Sequence, residues 1–193
     1  MKKLLLLNAN LNLENSRTYY LTKKVIEKYE LDKQYEIKEL NLYDLNLPYL
    51  NEESLNKRSE LILQRKFDVE EFNLAKEVRD ADFILVSAPM FDMSYPAVLK
   101  VFIENVSISN LLFTYDGNEI KGLCKASKLL YVTTRGWNIK NRDDLGYKNM
   151  VQVANMWGIK DTKLIGVSKT DLAKRPFRDI DDFVSKLGSL DEE

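Results

Sequence analysis

Apolar runs and helical periods alternate along the chain, and this alternation predicts its secondary structure. A continuous apolar run such as residues 2–8 is typical of a strand buried on both faces of a sheet, whereas residues 35–40 alternate as in a half-buried strand near an edge. The predicted strands are 2–8, 35–40, 82–88, 127–136 and 162–170. The predicted helices are 15–29, 68–82, 96–106, 144–158 and 171–188, the last being one helix or a helix pair disturbed by Pro176.

A strand followed by a helix occurs five times in this order, which favours a parallel α/β sheet with helices on both faces. Five strands without a sixth favour the flavodoxin-like strand order 2-1-3-4-5 in a three-layer sandwich. We expect residues 1–193 to form a single domain of this kind. Asp116-Gly117 predicts a hairpin within 112–123. The polar stretch 41–66 is predicted to be a long excursion with a short helical piece.

Composition narrows the possible functions. The net charge of -1 gives no reason to expect a nucleic-acid partner, and the longest apolar runs are too short to span a bilayer. The single cysteine, Cys124, excludes an internal disulfide, and we expect a cytoplasmic protein. The chain contains no histidine, so it lacks imidazole bases and the commonest metal ligand. We therefore expect no metal site, and we expect chemistry based on other side chains or on a cofactor.

Ligands of such a sheet bind beyond the carboxyl ends of its strands, at the switch point of the strand order. The first of these ends, residues 8–18, brings Asn10 together with Ser16, Arg17 and Thr18 at a helix start. Backbone N–H groups, hydroxyls, a guanidinium and the helix dipole favour a bound phosphate. Helix capping alone is the alternative. The chain has no Walker A lysine motif and no G-x-G-x-x-G, so a monophosphate group is the better fit.

The loops after the third and fourth predicted strands add aromatic and sulfur-containing side chains. Met90, Phe91 and Met93 are suited to contact with a planar ring, although they could also plug the crevice or form an interface. Residues 133–137 add two hydroxyls, a guanidinium, a glycine and Trp137. Together with the first loop, these groups favour a bound aromatic phosphate.

These motifs resemble those of the FMN-dependent NADH-azoreductase family, whose members are flavodoxin-fold NAD(P)H:quinone oxidoreductases. The similarity covers almost the whole chain and is carried by LLLNAN…NSRT, APMFDMSYPAVLKVFIENV, LFTYDGNEIKGLCKASKLLYVTTRG and WGIKD. The family motif A-P-M-Y-N-F is similar to residues 88–93, and S-R-G-G is similar to residues 134–137. The resemblance implies that FMN is bound by Asn10, Ser16, Arg17, Thr18, Pro89, Met90, Phe91, Asp92, Met93, Thr134, Arg135, Gly136 and Trp137.

Three departures from the family motifs bear on the chemistry of the site. Asp92 replaces an amide at the polar edge of the flavin, which removes two N–H donors and adds a negative charge. This change predicts a lower flavin potential. Trp137 replaces a glycine and is expected to narrow the substrate space or to form a stacking wall. Asn10 replaces a serine, which is a mild change.

The resemblance also implies a two-step reaction. NADH or NADPH passes hydride to N5 of FMN and leaves, and a quinone, azo or nitroaromatic acceptor then occupies the same place. No side chain is assigned a catalytic role. The resemblance implies a homodimer whose substrate space is walled by Phe113, Tyr115, Met156 and Trp157, although each of these could be ordinary core or interface. A flavodoxin-like electron carrier and a sensor without nicotinamide turnover stay open as alternatives.

Overall fold

The computed structural model describes residues 1–190 and contains the predicted parallel sheet. Its strands are β1 (Lys2–Asn8), β2 (Tyr35–Asn41), β3 (Phe83–Ser87), β4 (Phe113–Asp116), β5 (Glu119–Gly122), β6 (Lys128–Thr134) and β7 (Asp161–Val167). Its helices are α1 (Arg17–Lys28), α2 (Leu31–Gln34), α3 (Glu52–Leu63), α4 (Asn73–Asp80), α5 (Ala97–Val106), α6 (Leu145–Trp157) and α7 (Pro176–Ser185). The sheet order is β2-β1-β3-β6-β7, and β4 and β5 form a separate hairpin. The predicted order 2-1-3-4-5 is therefore confirmed.

Alternate side chains of β1 face opposite layers, which explains why its apolar run is continuous. Leu4 and Leu6 are buried on the face covered by α1 and α7. Leu5 and Leu7 are buried on the face covered by α4, α5 and α6. The sheet thus has a hydrophobic core on each side, and the predicted three-layer sandwich is confirmed.

The register of the central strands brings three loops to one edge of the sheet. Asn8, the last residue of β1, pairs with Ser87, the last residue of β3. Ser87 in turn pairs with Val132 near the end of β6. Because the three strands are parallel, the loops that follow them start side by side.

The predicted hairpin is confirmed, but its turn lies one residue later than expected. Asp116 pairs with Glu119, so Gly117 and Asn118 connect the strands, and Gly117 has a φ of +63° that suits glycine. The hairpin packs on the end of α6 at Gly122, where an added Cβ would lie 2.0 Å from the backbone nitrogen of Gly158. Only a glycine allows this close approach of the two backbones.

The polar excursion 41–66 contains α3, a helix with no buried residue. Two hydrogen bonds attach the excursion to α5: Arg58 Nη1 donates to the Glu104 carbonyl at 2.8 Å, and Asn105 Nδ2 donates to the Pro48 carbonyl at 3.0 Å. Leu42 is buried in the core, and Leu45, Leu47, Leu61 and Ile62 pack against it, so the excursion is held by polar and apolar contacts together.

The last helix begins later than predicted. Pro176 occupies its first turn, where a missing N–H has no cost, so α7 starts there rather than at residue 171. Within residues 1–190, no helix combines the length and the hydropathy needed to cross a membrane.

Candidate functional site

A cavity of about 380 Å³ opens at the carboxyl ends of β1, β3 and β6. Its volume lies within the roughly 300–1,000 Å³ typical of small-molecule sites. Its walls come from the loops after these strands, from the start of α1 and from the loop after β7. The predicted cofactor-binding residues that line it are Ser16, Arg17, Thr18, Pro89, Met90, Phe91, Thr134 and Gly136. The structure thus brings the three predicted loops together.

Asn10 lies behind the wall of this cavity and is hydrogen-bonded to Ser16, which lines it. Its side chain is buried, with Nδ2 donating to Asn8 Oδ1 and to Ser87 Oγ, both at 2.8 Å. Its Oδ1 accepts a hydrogen bond from Ser16 Oγ at 2.8 Å. Ser16 Oγ in turn caps α1 by accepting from the Tyr19 backbone N–H at 3.1 Å. Asn10 therefore positions the capping serine, and its side chain does not line the cavity.

The start of α1 presents hydrogen-bond donors and positive potential to the cavity. The backbone N–H groups of Arg17 and Thr18 lie in the first turn, where a helix offers them no acceptor. The Thr18 and Thr134 hydroxyls are joined by a hydrogen bond of 2.6 Å, which links this turn to the end of β6. The Arg17 guanidinium forms an ion pair with Asp171. With the positive end of the helix dipole, these groups make an anion-binding surface.

The loop after β3 ends in a tight turn. Phe91 and Ser94 exchange two backbone hydrogen bonds of 2.9 Å around Asp92 and Met93, whose φ angles are 46° and 69°. Positive φ at both central positions matches a type I′ turn and is strained for methionine. The turn leaves Phe91, Asp92 and Met93 exposed, and the last two do not line the cavity. The Met90 backbone N–H donates to the Thr134 carbonyl at 3.0 Å, so the loops after β3 and β6 are directly connected.

The loop after β6 places Gly136 on the cavity wall and Trp137 outside it. A Cβ at Gly136 would lie 2.2 Å from Asp171 Oδ2, so glycine leaves the space in which this carboxylate lies. The Trp137 side chain is 65% exposed and does not line the cavity. Its contact with the cofactor or substrate stays a prediction.

Comparison with known proteins identifies the family. A family model described as flavodoxin-like fold matches residues 2–189. The chain belongs to the flavodoxin-like fold family. The fold class predicted from the alternation of strands and helices is therefore confirmed.

Relatives of this flavodoxin-like protein include FMN-dependent NADH:quinone oxidoreductases. One from Clostridium perfringens is 29% identical over 175 residues, which are 89% of this chain and 88% of the relative. One from Lachnoclostridium phytofermentans is 28% identical over 177 residues, again 89% and 88% of the two chains. The resemblance predicted from the motifs is therefore confirmed.

Solved structures similar to this flavodoxin-like protein include azoreductases. One from Bacillus anthracis superposes with a TM-score of 0.81 at 18% identity, over 96% of both chains. An FMN-dependent NADH-azoreductase from Bacillus anthracis in complex with FMN superposes with a TM-score of 0.77 at 19% identity, over 98% of this chain and all of that one. At these identities, the likeness establishes the fold.

Arg135 does not line the cavity of this flavodoxin-like protein, so its cofactor-binding role stays a prediction that the cavity does not support. Its side chain is 1% exposed, and Nε donates to Asp144 Oδ2 at 2.8 Å. Nη1 donates to Asn141 Oδ1 at 2.8 Å. A Cβ at Gly166 would lie 2.5 Å from Nη2, so this glycine makes room for the guanidinium. The Arg135 side chain points into the interior because it forms an ion pair there with Asp144, which is also buried.

The predicted substrate residues lie away from the cavity in the described chain. Trp157 is completely buried, and its Nε1 donates to Ser107 Oγ at 3.2 Å, so it belongs to the core. Phe113 is also buried in that core. Met156 is partly buried against the core, and Tyr115 is exposed on the hairpin. Trp157 and Phe113 thus lie in the core, the alternative left open for them, and a role in walling a substrate space at a dimer interface stays a prediction.

Four lining residues were not among the predicted site residues: Leu11, Asn15, Thr170 and Asp171. Thr170 and Asp171 belong to the loop after β7, whose carboxyl end lies at the same edge of the sheet as that of β6. The adjacency of these two strands in the predicted order was the signal that could have found them. The carboxylate of Asp171 matters most, because it pairs with Arg17.

A second cavity, of about 470 Å³, lies towards the opposite edge of the sheet. It is bounded by the first residues of β1, by β2 and by one side of α4. Lysine and acidic side chains alternate around it, and its described lining contains no aromatic residue or methionine. This lining does not suit a flavin ring, although the cavity is the larger of the two.

The titratable groups with raised pKa values stay protonated at neutral pH. Burial raises the pKa of the Cys124 thiol to about 12, so it is no nucleophile near neutrality. Partial burial, followed by the Glu39 carboxylate that accepts its hydrogen bond at 3.1 Å, raises the pKa of Tyr19. Neither group offers a base for chemistry near neutral pH.

Proposed function

We propose that this chain is an FMN-dependent NAD(P)H oxidoreductase that reduces quinones, azo compounds or nitroaromatics. The observation that carries the proposal is a single cavity shared by the start of α1 and the loops after β3 and β6. An anion-binding surface and an apolar wall therefore face the same space. The names of the relatives from Clostridium perfringens and Lachnoclostridium phytofermentans support this reaction.

The residues of the cavity fit FMN. Ser16, Arg17 and Thr18 would hold its phosphate at the positive end of α1. Residues 89–91 would lie beside its ring system, with the Thr134 side chain on the adjoining wall. When bound, FMN supplies hydride acceptance and donation at its N5 atom.

The protein's own contribution is to position the reactants. The hydrogen bond between the Met90 N–H and the Thr134 carbonyl joins two walls of the cavity. The apolar side chains of Met90 and Phe91 keep water from one side of the space. The described lining residues include one carboxylate, Asp171, which is paired with Arg17. We therefore assign no catalytic side chain, and protons for the reduced acceptor come from water.

An anaerobic titration tests this function. NADH added to the FMN-loaded protein should bleach the visible absorption of the flavin, and benzoquinone should restore it. A flavodoxin-like electron carrier would keep its flavin oxidised in the presence of NADH. A sensor that has lost the flavin would not take up added FMN. Either of these two results would contradict the proposal.

Replacing Ser16 with alanine should weaken FMN binding about tenfold, because a hydroxyl is lost from the phosphate site and the start of α1 is loosened. The free energy of unfolding should fall by about 1 kcal/mol. Calorimetric titration with FMN and urea denaturation measure the two effects. Asn51→Ala is the matched control, because Asn51 caps α3 by the same kind of bond. It should lose similar stability and keep its affinity for FMN, and equal affinities of the two variants would show that Ser16 is not a phosphate ligand.

We further propose that the protein is a homodimer in the cytoplasm, where NADH is regenerated. Exposed aromatic side chains support the dimer: Tyr49 and Phe91 line an apolar groove beside the candidate site. Covering this groove with a second copy would remove apolar surface from water and close the substrate space.

A further inference from the structure

Among the described residues that line the candidate cavity, only Arg17 and Asp171 carry a charge. They form an ion pair with each other, from Arg17 Nη1 to Asp171 Oδ1. The side chains on the wall therefore have no net charge. A phosphate monoester carries between about 1.5 and 2 negative charges at neutral pH. The cavity is thus less positive than a phosphate site with an unpaired arginine.

Asp171 is held at the rim of the cavity by its backbone. Its N–H donates to the Gly136 carbonyl at 3.0 Å. The preceding residue, Thr170, donates to the Arg135 carbonyl through both its N–H and its hydroxyl, each at 3.0 Å. Gly136, which has no Cβ, leaves the space that Asp171 Oδ2 occupies. The backbone of the loop after β7 therefore places Asp171 at the rim of the cavity independently of the ion pair with Arg17.

The ion pair itself is weak enough to open. The side chains of Arg17 and Asp171 are 35% and 69% exposed, and exposed pairs of this kind contribute little free energy. A phosphate offers a guanidinium more acceptor oxygens and more charge than one carboxylate does. Arg17 can therefore exchange its partner, after which Asp171 lies near an anion and repels it.

We propose that Asp171 sets how strongly this cavity discriminates FMN from riboflavin, the same flavin without its phosphate. The inference rests on the proposed function, because it concerns the phosphate end of the same cavity. Asp171 competes with the phosphate for Arg17 and repels the phosphate once it is bound. The protein therefore binds FMN less tightly than Arg17 and the start of α1 alone would allow.

Flavin fluorescence quenching gives the Kd values of FMN and riboflavin for the whole protein and its variants. Asp171→Asn keeps the size of the side chain and removes its charge. It should bind FMN about tenfold more tightly, while its affinity for riboflavin changes by less than about twofold. Asp182→Asn is the matched control, since Asp182 is exposed on α7 and does not line the cavity. The control should change neither affinity.

A second pair of variants distinguishes the competition of Asp171 with the phosphate for Arg17 from the direct repulsion between Asp171 and the phosphate. In an Arg17→Gln background, Asp171→Asn should improve FMN binding by less than about threefold, because no guanidinium is left to compete for. An unchanged ratio of FMN to riboflavin affinity in Asp171→Asn would overturn the inference while leaving the proposed function intact. Weaker FMN binding by Asp171→Asn would also overturn it, since Asp171 would then orient Arg17 toward the phosphate. If the unsubstituted protein binds no FMN, the proposed function and this inference both fail.

Discussion

Replacing Arg135 with methionine should lower the free energy of unfolding by about 3–5 kcal/mol. The substitution leaves the Asp144 carboxylate, which is 1% exposed, buried without its ionic partner. It also removes the donor that Nη1 provides to Asn141 Oδ1, and so loosens the segment before α6. Urea denaturation followed by circular dichroism measures the change.

Two further variants make this test specific. Arg142→Met removes an arginine whose side chain is 76% exposed and should cost less than about 0.5 kcal/mol. Adding Asp144→Leu to Arg135→Met should recover much of the lost stability, because no lone charge is left in the interior. The free energy of unfolding of this double variant should stay about 1 kcal/mol below that of the unsubstituted protein, since Asp144 also caps α6 by accepting from the Tyr147 N–H. If Arg135→Met is as stable as Arg142→Met and has lost its affinity for FMN, the sequence-based assignment of Arg135 to the cofactor is right after all.

Replacing Trp157 with alanine should cost about 3–5 kcal/mol of stability. The side chain is completely buried in the core beneath α5 and α6, and its removal leaves a cavity and an unpaired Ser107 hydroxyl. The Trp157 carbonyl accepts from the Cys124 N–H at 3.1 Å, so the attachment of the hairpin should loosen as well. Urea denaturation gives the stability, and quinone reduction at saturating substrate gives the effect on turnover.

Trp137→Ala is the natural control, because the chain has two tryptophans and Trp137 is 65% exposed. It should change stability by less than about 0.5 kcal/mol. The fluorescence of the two single-tryptophan proteins distinguishes a buried indole at 157 from a solvated one at 137. A stable Trp157→Ala protein with a changed substrate preference would instead place Trp157 in the substrate wall.

The fold could be predicted because it depends on local patterns. The leucines of β1 are buried on both faces of the sheet, and a strand in that position has a continuous apolar run in its sequence. The turn of the hairpin was misplaced by one residue, since Asp116-Gly117 and Gly117-Asn118 are both good turn pairs. The end of β7 was placed at residue 170 rather than Val167, because the polar residues that follow contain no glycine or proline to mark the end.

The loops of the candidate site could be predicted from topology, but several of its side chains could not. Arg17 and Arg135 both follow a strand, and local sequence does not show which of them faces the cavity. The structure decides between them through Asp144, which is nine residues further along the chain, and through the space left by Gly166. Such partners are brought together only by the folded chain. The same reason hid the ion pair of Asp171 with Arg17, which is 154 residues away in the sequence.

Amide NMR of the protein during titration with FMN tests most directly where the flavin binds. We expect stoichiometric, saturating shifts centred on residues 16–18, 90–91 and 134–136, with the amides of Arg17 and Thr18 moving strongly with FMN and much less with riboflavin. Shifts centred on the other cavity, around Lys3 and Lys38, or the absence of any saturable shift, would contradict the placement of FMN at the carboxyl ends of β1, β3 and β6.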